Sequence, residues 1–254
     1  MFFSSGEAEK KGKEVLKNLY FFSENQMLDC NQYIIENKET KELTLFDGGN
    51  GISLKGLFKG MEKYKLDYHN ITKVFLTHEH VDHTIGLYPL MKLMSESPPQ
   101  IYAFGETAKI LREGDVSQIF PGNLGIKPSM FGVEIVPLHV SNLENLSEIE
   151  ISPDFKFQIH HTPGHSLGSI CYYERTRKIL IPGDLVFQMD TVFNIGSFGR
   201  YDFPGGSLES LKNSIRYTTE LDVSILLPGH MGVVLEKANK HIEAAYRTIM
   251  TIQY

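Results

Sequence analysis

Short apolar runs alternate with helical patterns along the chain, and together they predict an α/β fold. Runs rich in Ile, Leu, Val and Phe predict buried strands, and they lie at 33–35, 43–46, 73–76, 101–104, 133–140, 155–161, 179–181 and 223–227. Apolar residues at helical spacing predict helices at the N-terminus within 1–20, at 53–65, 84–94 and 106–112, and at the C-terminus at 238–250. No repeat or linker interrupts this alternation, so we expect a single domain covering 1–254.

The strand at 73–76 is followed by an unusual density of metal-binding side chains, in the order Thr-His-Glu-His-Val-Asp-His. In extended backbone, His78 and His80 point the same way, so both imidazoles can reach one metal ion. Asp82 and His83 come after the bend and can face a second ion. Neutral imidazoles and carboxylates suit zinc, iron or manganese. The alternative, a polar turn that is merely rich in histidine, does not account for the spacing.

Three later strands also end in residues of this type. His165 follows a Thr-Pro-Gly turn, Asp184 follows a glycine, and His230 follows Pro-Gly. We expect His165 to supply the third imidazole to the first ion and His230 to complete the ligands of the second. A carboxylate has two oxygens and can join two cations, so Asp184 is the candidate bridge.

Other polar residues have weaker contexts. Asp47 begins a glycine-rich loop, where it either braces the metal histidines as a hydrogen-bond acceptor or serves as a plain turn residue. The long loop at 114–132 is expected to form a pocket wall or to pack on a partner subunit. The remaining histidines are expected to be structural or exposed, and they are His69, His139, His160, His161 and His241.

Composition narrows the functional classes. The net charge is −6 and no basic block occurs, which argues against nucleic-acid binding. No apolar run approaches the ~20 residues of a membrane span. Charged residues from Glu7 onward exclude the apolar core of a signal peptide, so a cytoplasmic protein is expected. Cys30 and Cys171 lie far apart and are expected to be small buried residues rather than a redox or zinc pair. A homo-oligomer is compatible with all of this.

The ordered set of motifs from about residue 32 to residue 230 resembles that of the metallo-β-lactamase superfamily. Within it, the run Gly-Arg-Tyr-Asp-Phe-Pro-Gly-Gly-Ser at 199–207 is similar to the glyoxalase II-like (hydroxyacylglutathione hydrolase-related) enzymes and their persulfide dioxygenase relatives. The resemblance implies a four-layer αββα sandwich, an α/β fold whose site lies at one edge of two facing sheets.

The same resemblance implies roles for individual residues. His78, His80 and His165 would bind one divalent metal ion, Asp82, His83 and His230 a second, and Asp184 would bridge them. Asp82 and Asp184 are then the catalytic carboxylates, and Arg200 and Tyr201 the candidate substrate-binding residues. Zinc is the first choice of metal, with iron or manganese as alternatives. Hydroxide held by the ions would attack a small-molecule thioester or ester.

Two other functions fit the same residues. A mononuclear iron persulfide dioxygenase would use His78, His165 and Asp184 and leave the second position empty. A metal-binding scaffold without catalysis is the other. In the β-lactam hydrolases that the chain resembles, Cys or Ser mostly replaces the bridging carboxylate, so Asp184 argues against antibiotic hydrolysis. Arg200 also has an alternative role, which is to brace the loop at Asp202.

Overall fold

The structure is a computed structural model that describes residues 8–120, 122 and 125–253. Its described residues divide into two compact units, the first ending at Leu143 and the second beginning at Glu144. We call them unit 1 and unit 2. The single domain expected from the sequence stays a prediction.

The described part of unit 1 consists of one seven-stranded sheet and five α-helices. Its elements are β1 (Gly12–Leu16), β2 (Leu19–Phe22), β3 (Gln32–Glu36), β4 (Leu43–Phe46), α1 (Leu54–Glu62), β5 (Ile71–Phe75), α2 (Val81–Thr84), α3 (Leu87–Leu93), β6 (Gln100–Ala103), α4 (Gly105–Glu113), α5 (Val116–Ile119) and β7 (Val140–Asn142). The strands follow chain order across the sheet. Pairing is antiparallel from β1 to β4 and parallel from β4 to β7.

The core of unit 1 lies between its sheet and its helices. Alternate strand residues such as Leu45 and Val74 join Leu57 of α1 and Leu111 of α4 in one buried cluster. All residues of β3 and β4 are buried, so both faces of these strands are covered. This pattern is typical of a central strand in a layered α/β fold, and it explains the continuous apolar runs in the sequence.

The prediction of an N-terminal helix within 1–20 is wrong for the described residues. Residues 12–22 form the β1–β2 hairpin, which turns at Asn18 with φ 69°. Asn tolerates this left-handed conformation. Leu19 to Phe22 pair with β3, and this tertiary pairing outweighs the helix propensity of the Glu, Ala and Lys residues that precede them. Residues 1–7 of the prediction lie outside the described residues.

The segment after α4 is only partly the loop that the sequence predicts. It contains α5, and a 3₁₀ turn at Pro128–Met130. Gly132 lines a cleft of about 510 Å³ together with Tyr88 and Lys92. The strand expected at 133–140 begins only at Val140. Pro137 has no N–H for a strand ladder, which explains the late start.

Unit 2 contains a second sheet, a separate hairpin and two helices among its described residues. Its elements are β8 (Glu148–Ser152), β9 (Phe155–His161), β10 (Ile170–Glu174), β11 (Ile179–Ile181), β12 (Val186–Asp190), β13 (Ile195–Phe198), α6 (Leu208–Thr219), β14 (Ile225–Leu226) and α7 (Asn239–Met250). The sheet order is β14-β11-β10-β9-β8, and β12 pairs with β13. Helix α7 lies where the sequence predicts the C-terminal helix. No described helix of either unit has the length and apolar character needed to cross a membrane.

Both helices of unit 2 contribute to its core. Leu211 of α6 and Ile249 of α7 pack in one cluster with Leu180 and Cys171 of the sheet. The Cys171 thiol is fully buried and lies 3.3 Å from Thr162 Oγ1. Burial raises the pKa of this thiol from 9.0 to about 12. Cys30 is also buried and free, so both cysteines match their expected role as small buried residues.

Cys171 gives the folded protein a predictable sensitivity to alkali. Its pKa is raised on folding, so its contribution to stability is complete below pH 9 and is lost as the pH rises toward 12. From pH 8 to pH 10 we expect about 1.4 kcal/mol of the unfolding free energy to be lost through this thiol. Urea unfolding of the wild type and of Cys171→Ala at both pH values measures this loss of unfolding free energy. Equal losses in the two proteins would contradict the assignment.

Candidate functional site

The first group of predicted ligands lies in unit 1, between the end of β5 and the first turn of α2. Strand β5 ends at Phe75, and helix α2 begins at Val81 with His80 as its N-cap residue. The ring of His78 lies 4.8 Å from that of His80 and 4.1 Å from that of His83, measured between centroids. Asp82 Oδ2 lies 4.0 Å from His83 Nε2. We call these four residues, His78, His80, Asp82 and His83, the unit 1 histidine group.

Asp47 braces this group, as one of its two sequence interpretations expects. Its carboxylate accepts hydrogen bonds from the Thr77 N–H at 2.8 Å and the Thr77 hydroxyl at 2.9 Å. It also accepts the Nδ1–H of His83 at 2.9 Å. Since the Thr77 hydroxyl hydrogen is directed to Asp47, its oxygen accepts the Nδ1–H of His78 at 3.0 Å. In both His78 and His83, the Nε2 atom is therefore the one that carries the lone pair.

Glu79, between the first two histidines, is turned away from them. Its side chain is buried and accepts a 2.7 Å hydrogen bond from the Thr107 hydroxyl of α4. Thr84 Oγ1 donates to the backbone oxygens of Glu79 and His80 at 3.1 and 3.0 Å. These contacts fix the loop that carries the histidines. The sequence gives no signal for the partnership with Thr107, because the two residues belong to different elements.

The second group of predicted ligands lies in unit 2 around Asp184. The carboxylate atom Oδ2 of this residue lies 3.5 Å from His165 Nε2 and 3.2 Å from His230 Nε2. Asp184 and His165 are buried, and His230 is one-fifth exposed. Phe203 and Phe187 pack edge-on against the His165 and His230 rings respectively. We call His165, Asp184 and His230 the unit 2 carboxylate group.

Backbone contacts hold the unit 2 carboxylate group in place. The Gly229 N–H donates to the Gly183 oxygen at 2.9 Å and so joins the turns before His230 and Asp184. The Nδ1–H of His165 donates to the backbone oxygen of Arg200 at 2.7 Å. This bond leaves the lone pair on His165 Nε2, the atom nearest Asp184. A backbone acceptor has no signature in the side-chain pattern, so sequence reasoning missed this role.

The Arg200 side chain makes the contacts expected if it braces the loop at Asp202, which is the alternative to substrate binding. Its guanidinium binds both carboxylate oxygens of Asp202, at 2.9 and 2.6 Å, and lies over the Phe203 ring. This pair raises the pKa of Arg200 and lowers the pKa of Asp202. About half of the side chain is exposed. Tyr201 is partly buried and packs against the unit 2 core. The role of both residues in substrate binding stays a prediction.

The other histidines have local partners. His69 is exposed and lies 2.7 Å from Asp67, and His139 is also exposed. His160 Nδ1 lies 2.7 Å from the Tyr217 hydroxyl, and burial lowers the pKa of this histidine. The remaining two contact backbone, with His161 Nε2 at 2.8 Å from the Leu167 oxygen and His241 Nδ1 accepting from the Met189 N–H at 2.8 Å.

The donor chemistry of both groups fits a divalent metal ion. His78, His83 and His165 each direct Nδ1–H to an oxygen, the arrangement that fixes metal-binding imidazoles with Nε2 outward. In unit 2, the Nε2 lone pair of His165 faces a carboxylate oxygen of Asp184 at 3.5 Å, so two acceptors face each other. A cation removes the repulsion among such acceptors. The residues therefore fit a metal and do not distinguish zinc from iron or manganese.

Comparison with known proteins decides the family. Residues 26–230 match the model of the metallo-beta-lactamase superfamily. The chain belongs to this superfamily. Membership confirms the fold class expected from the sequence, the metallo-β-lactamase fold with its αββα architecture, and it supports a metal-dependent hydrolase type of function.

Relatives within the superfamily are moderately similar. The chain is 32% identical to the hydroxyacylglutathione hydrolase GloC of Haemophilus influenzae, over 63% of this chain and 69% of the relative. It is 30% identical to the probable metallo-hydrolase YqgX of Bacillus subtilis, over 62% and 67% respectively. Among solved structures, the BLEG-1 B3 metallo-beta-lactamase is 26% identical with a TM-score of 0.63, over 85% of this chain and 93% of the other.

Proposed function

We propose that this superfamily member hydrolyses a small thioester with two divalent metal ions. The observation that carries the proposal is the orientation of the imidazoles: His78, His83 and His165 each engage Nδ1–H with an oxygen and leave Nε2 to bind. Two of these histidines belong to the unit 1 group and one to the unit 2 group.

The proposed ligands are the seven residues expected from the sequence. His78, His80 and His165 bind one ion, Asp82, His83 and His230 bind the other, and Asp184 bridges the two. Zinc is the first candidate metal, and iron or manganese are the alternatives. The assignment requires the two groups to act on the same pair of ions, and it rests on the order of the motifs and on membership of the superfamily.

Bound to these residues, two ions would lower the pKa of water toward ~7, which would make hydroxide available at neutral pH, and would polarise the acyl carbonyl. The remaining roles belong to side chains. Asp82 and Asp184 would accept hydrogen bonds from the attacking hydroxide and orient it toward the carbonyl carbon. The C–O bond forms as the C–S bond breaks, the leaving thiolate takes up the proton lost by water, and the products are a carboxylic acid and a thiol. Arg200, half exposed beside His165, is the candidate group for holding a substrate carboxylate.

A thioester is proposed for two reasons. The relative in Haemophilus influenzae is a hydroxyacylglutathione hydrolase, and such a substrate is a thioester. The second reason is Asp184, because most β-lactam hydrolases that the chain resembles have Cys or Ser in place of this proposed bridging carboxylate. Similarity to BLEG-1, a B3 metallo-beta-lactamase, makes a β-lactam a necessary comparison substrate in any assay.

Elemental analysis of protein purified without added metal, followed by substrate assays, tests the function. We expect two divalent ions per chain and turnover of S-lactoylglutathione that disappears with a chelator. His165→Ala should lose an ion and the activity. His69→Ala is the matched control, because this exposed histidine pairs only locally with Asp67, and it should keep both.

The same samples identify the alternatives. One iron per chain, with oxygen consumption driven by glutathione persulfide, would replace the hydrolase proposal with the dioxygenase. Full metal loading without turnover of any ester, thioester or β-lactam would favour the non-catalytic scaffold.

A further inference from the structure

A lysine is completely buried in unit 1. Lys10 precedes β1 and has 0% exposure, a costly position for a charged ammonium unless it is fully paired. Its Nζ lies 2.8 Å from Asp29 Oδ2. It also donates to the Cys30 backbone oxygen at 3.0 Å and to Gln32 Oε1 at 2.8 Å. All three N–H donors of the ammonium therefore have an acceptor.

The partners of Lys10 continue to the loop 47–50. Asp29 Oδ1 accepts from the Asn50 N–H at 3.3 Å and from the Ser53 hydroxyl at 2.9 Å. Gln32 Nε2 donates to the Asp47 backbone oxygen at 3.1 Å. Because Lys10 takes the oxygen of the Gln32 amide, the amide nitrogen has to face Asp47. One ammonium thus orients two side chains that hold the loop.

The loop 47–50 in turn holds His83 by its side chain and its backbone. The Asp47 carboxylate accepts the Nδ1–H of His83 at 2.9 Å. The Gly48 N–H donates to the His83 backbone oxygen at 2.6 Å, and the Gly86 N–H donates to the Gly49 oxygen at 2.8 Å. Asp47 itself adopts φ 60°, a conformation that is uncommon outside glycine and that its neighbours must maintain.

We infer that Lys10 is a positioning residue for His83, acting through Asp29, Gln32 and the loop 47–50. The inference rests on the proposed role of His83 as a metal ligand. A buried ion pair contributes little net stability compared with apolar residues of the same volume. The Lys10–Asp29 pair instead serves to fix the direction of His83 Nε2. Lys10 acts on the affinity for one ion and makes no contact with substrate.

The test measures metal affinity by chelator competition in Lys10→Met, which keeps the length of the side chain and removes its charge. One of the two ions should bind about tenfold more weakly or worse, the usual effect of losing support behind a ligand. The other ion should keep its affinity. Lys13→Met is the matched control, since this exposed lysine lies in β1, three residues after Lys10. The control variant should bind both ions like the wild type.

A double variant separates positioning from stability. Lys10→Met/Asp29→Asn removes both charges of the pair. The amide oxygen can still accept from the Asn50 N–H and the Ser53 hydroxyl, whereas the Asn25 N–H loses the Oδ2 acceptor that it has at 2.9 Å. Its unfolding midpoint should recover in part relative to Lys10→Met, because no unpaired buried charge remains although the hydrogen bond from Asn25 is lost. Metal affinity should stay low, because nothing replaces the ammonium on Gln32. Affinity that returns together with stability would overturn the positioning role.

Proton NMR of the metal-free protein gives a direct readout. The His83 Nδ1–H resonance, identified by its absence in His83→Ala, should shift or exchange faster in Lys10→Met and stay unchanged in Lys13→Met. If His83→Ala binds both ions like the wild type, the proposed ligand role fails. If His83→Ala loses an ion while Lys10→Met matches the wild type in affinity and NMR, only the role of Lys10 fails.

Discussion

Asp184→Asn is expected to lower the rate of thioester hydrolysis by about 10³-fold while the fold persists. The change keeps the shape of the side chain and removes the charge proposed to bridge two cations. A bound metal ion contributes several kcal/mol of charge stabilisation to the transition state, and an ion that loses its bridge is weakly held and misplaced. Each ~1.36 kcal/mol lost is a factor of ten in rate. Measurements are kcat/KM, metal content by elemental analysis, and circular dichroism as a check of folding.

Asp222→Asn is the matched control for this change. Asp222 is an exposed carboxylate of unit 2 that pairs with Lys178 on the surface, and such pairs have little influence. We expect wild-type turnover and metal content in this variant. Full turnover in Asp184→Asn with both ions still bound would refute the bridging role.

Gly199→Ala is expected to disable the site by steric means. A Cβ at this position would lie 1.9 Å from the Asp184 backbone oxygen and 3.0 Å from His165 Nδ1. The first clash involves backbone, so the segment must move, and Arg200 then withdraws its oxygen from His165. We expect a stability loss of about 1–3 kcal/mol from overpacking. Activity should fall about 10²-fold, because a shift of ~1 Å in a catalytic group costs that much.

Thermal unfolding and kcat/KM measure both effects, and Gly122→Ala controls for the added methyl group. Among the described residues that are not its chain neighbours, none has an atom within 4 Å of a Cβ built on Gly122, so this variant should match the wild type. Normal metal content and activity in Gly199→Ala would show that the segment relaxes without moving the His165 acceptor.

The parts of the fold that the sequence predicts well are those set by local pattern. Helices α1, α4 and α7 show helical spacing, and β4 and β9 lie where apolar runs predict strands. The N-terminal hairpin is different, because Leu19 to Phe22 become a strand only by pairing with β3. Pairing between separated segments does not appear in a local window, so propensity alone gave a helix there.

The same distinction applies to the candidate site. Metal-type side chains after strands predict His78, Asp184 and their partners as ligands without a structure. The supporting contacts are of another kind. Arg200 supports His165 with a backbone oxygen, and Gly199 contributes only the absence of a side chain. Lys10 is a charged residue that patterning assigns to solvent, yet it is buried behind the loop 47–50.

The two ends of Arg200 serve different tasks. Its carbonyl oxygen anchors His165, while its guanidinium faces outward beside Asp202 and Phe203. Every amino acid carries the same carbonyl, so a mutation at this codon can change the outward-facing side chain without releasing the imidazole. Under the proposed role of Arg200, substrate choice could therefore drift during evolution while the proposed inorganic chemistry is preserved.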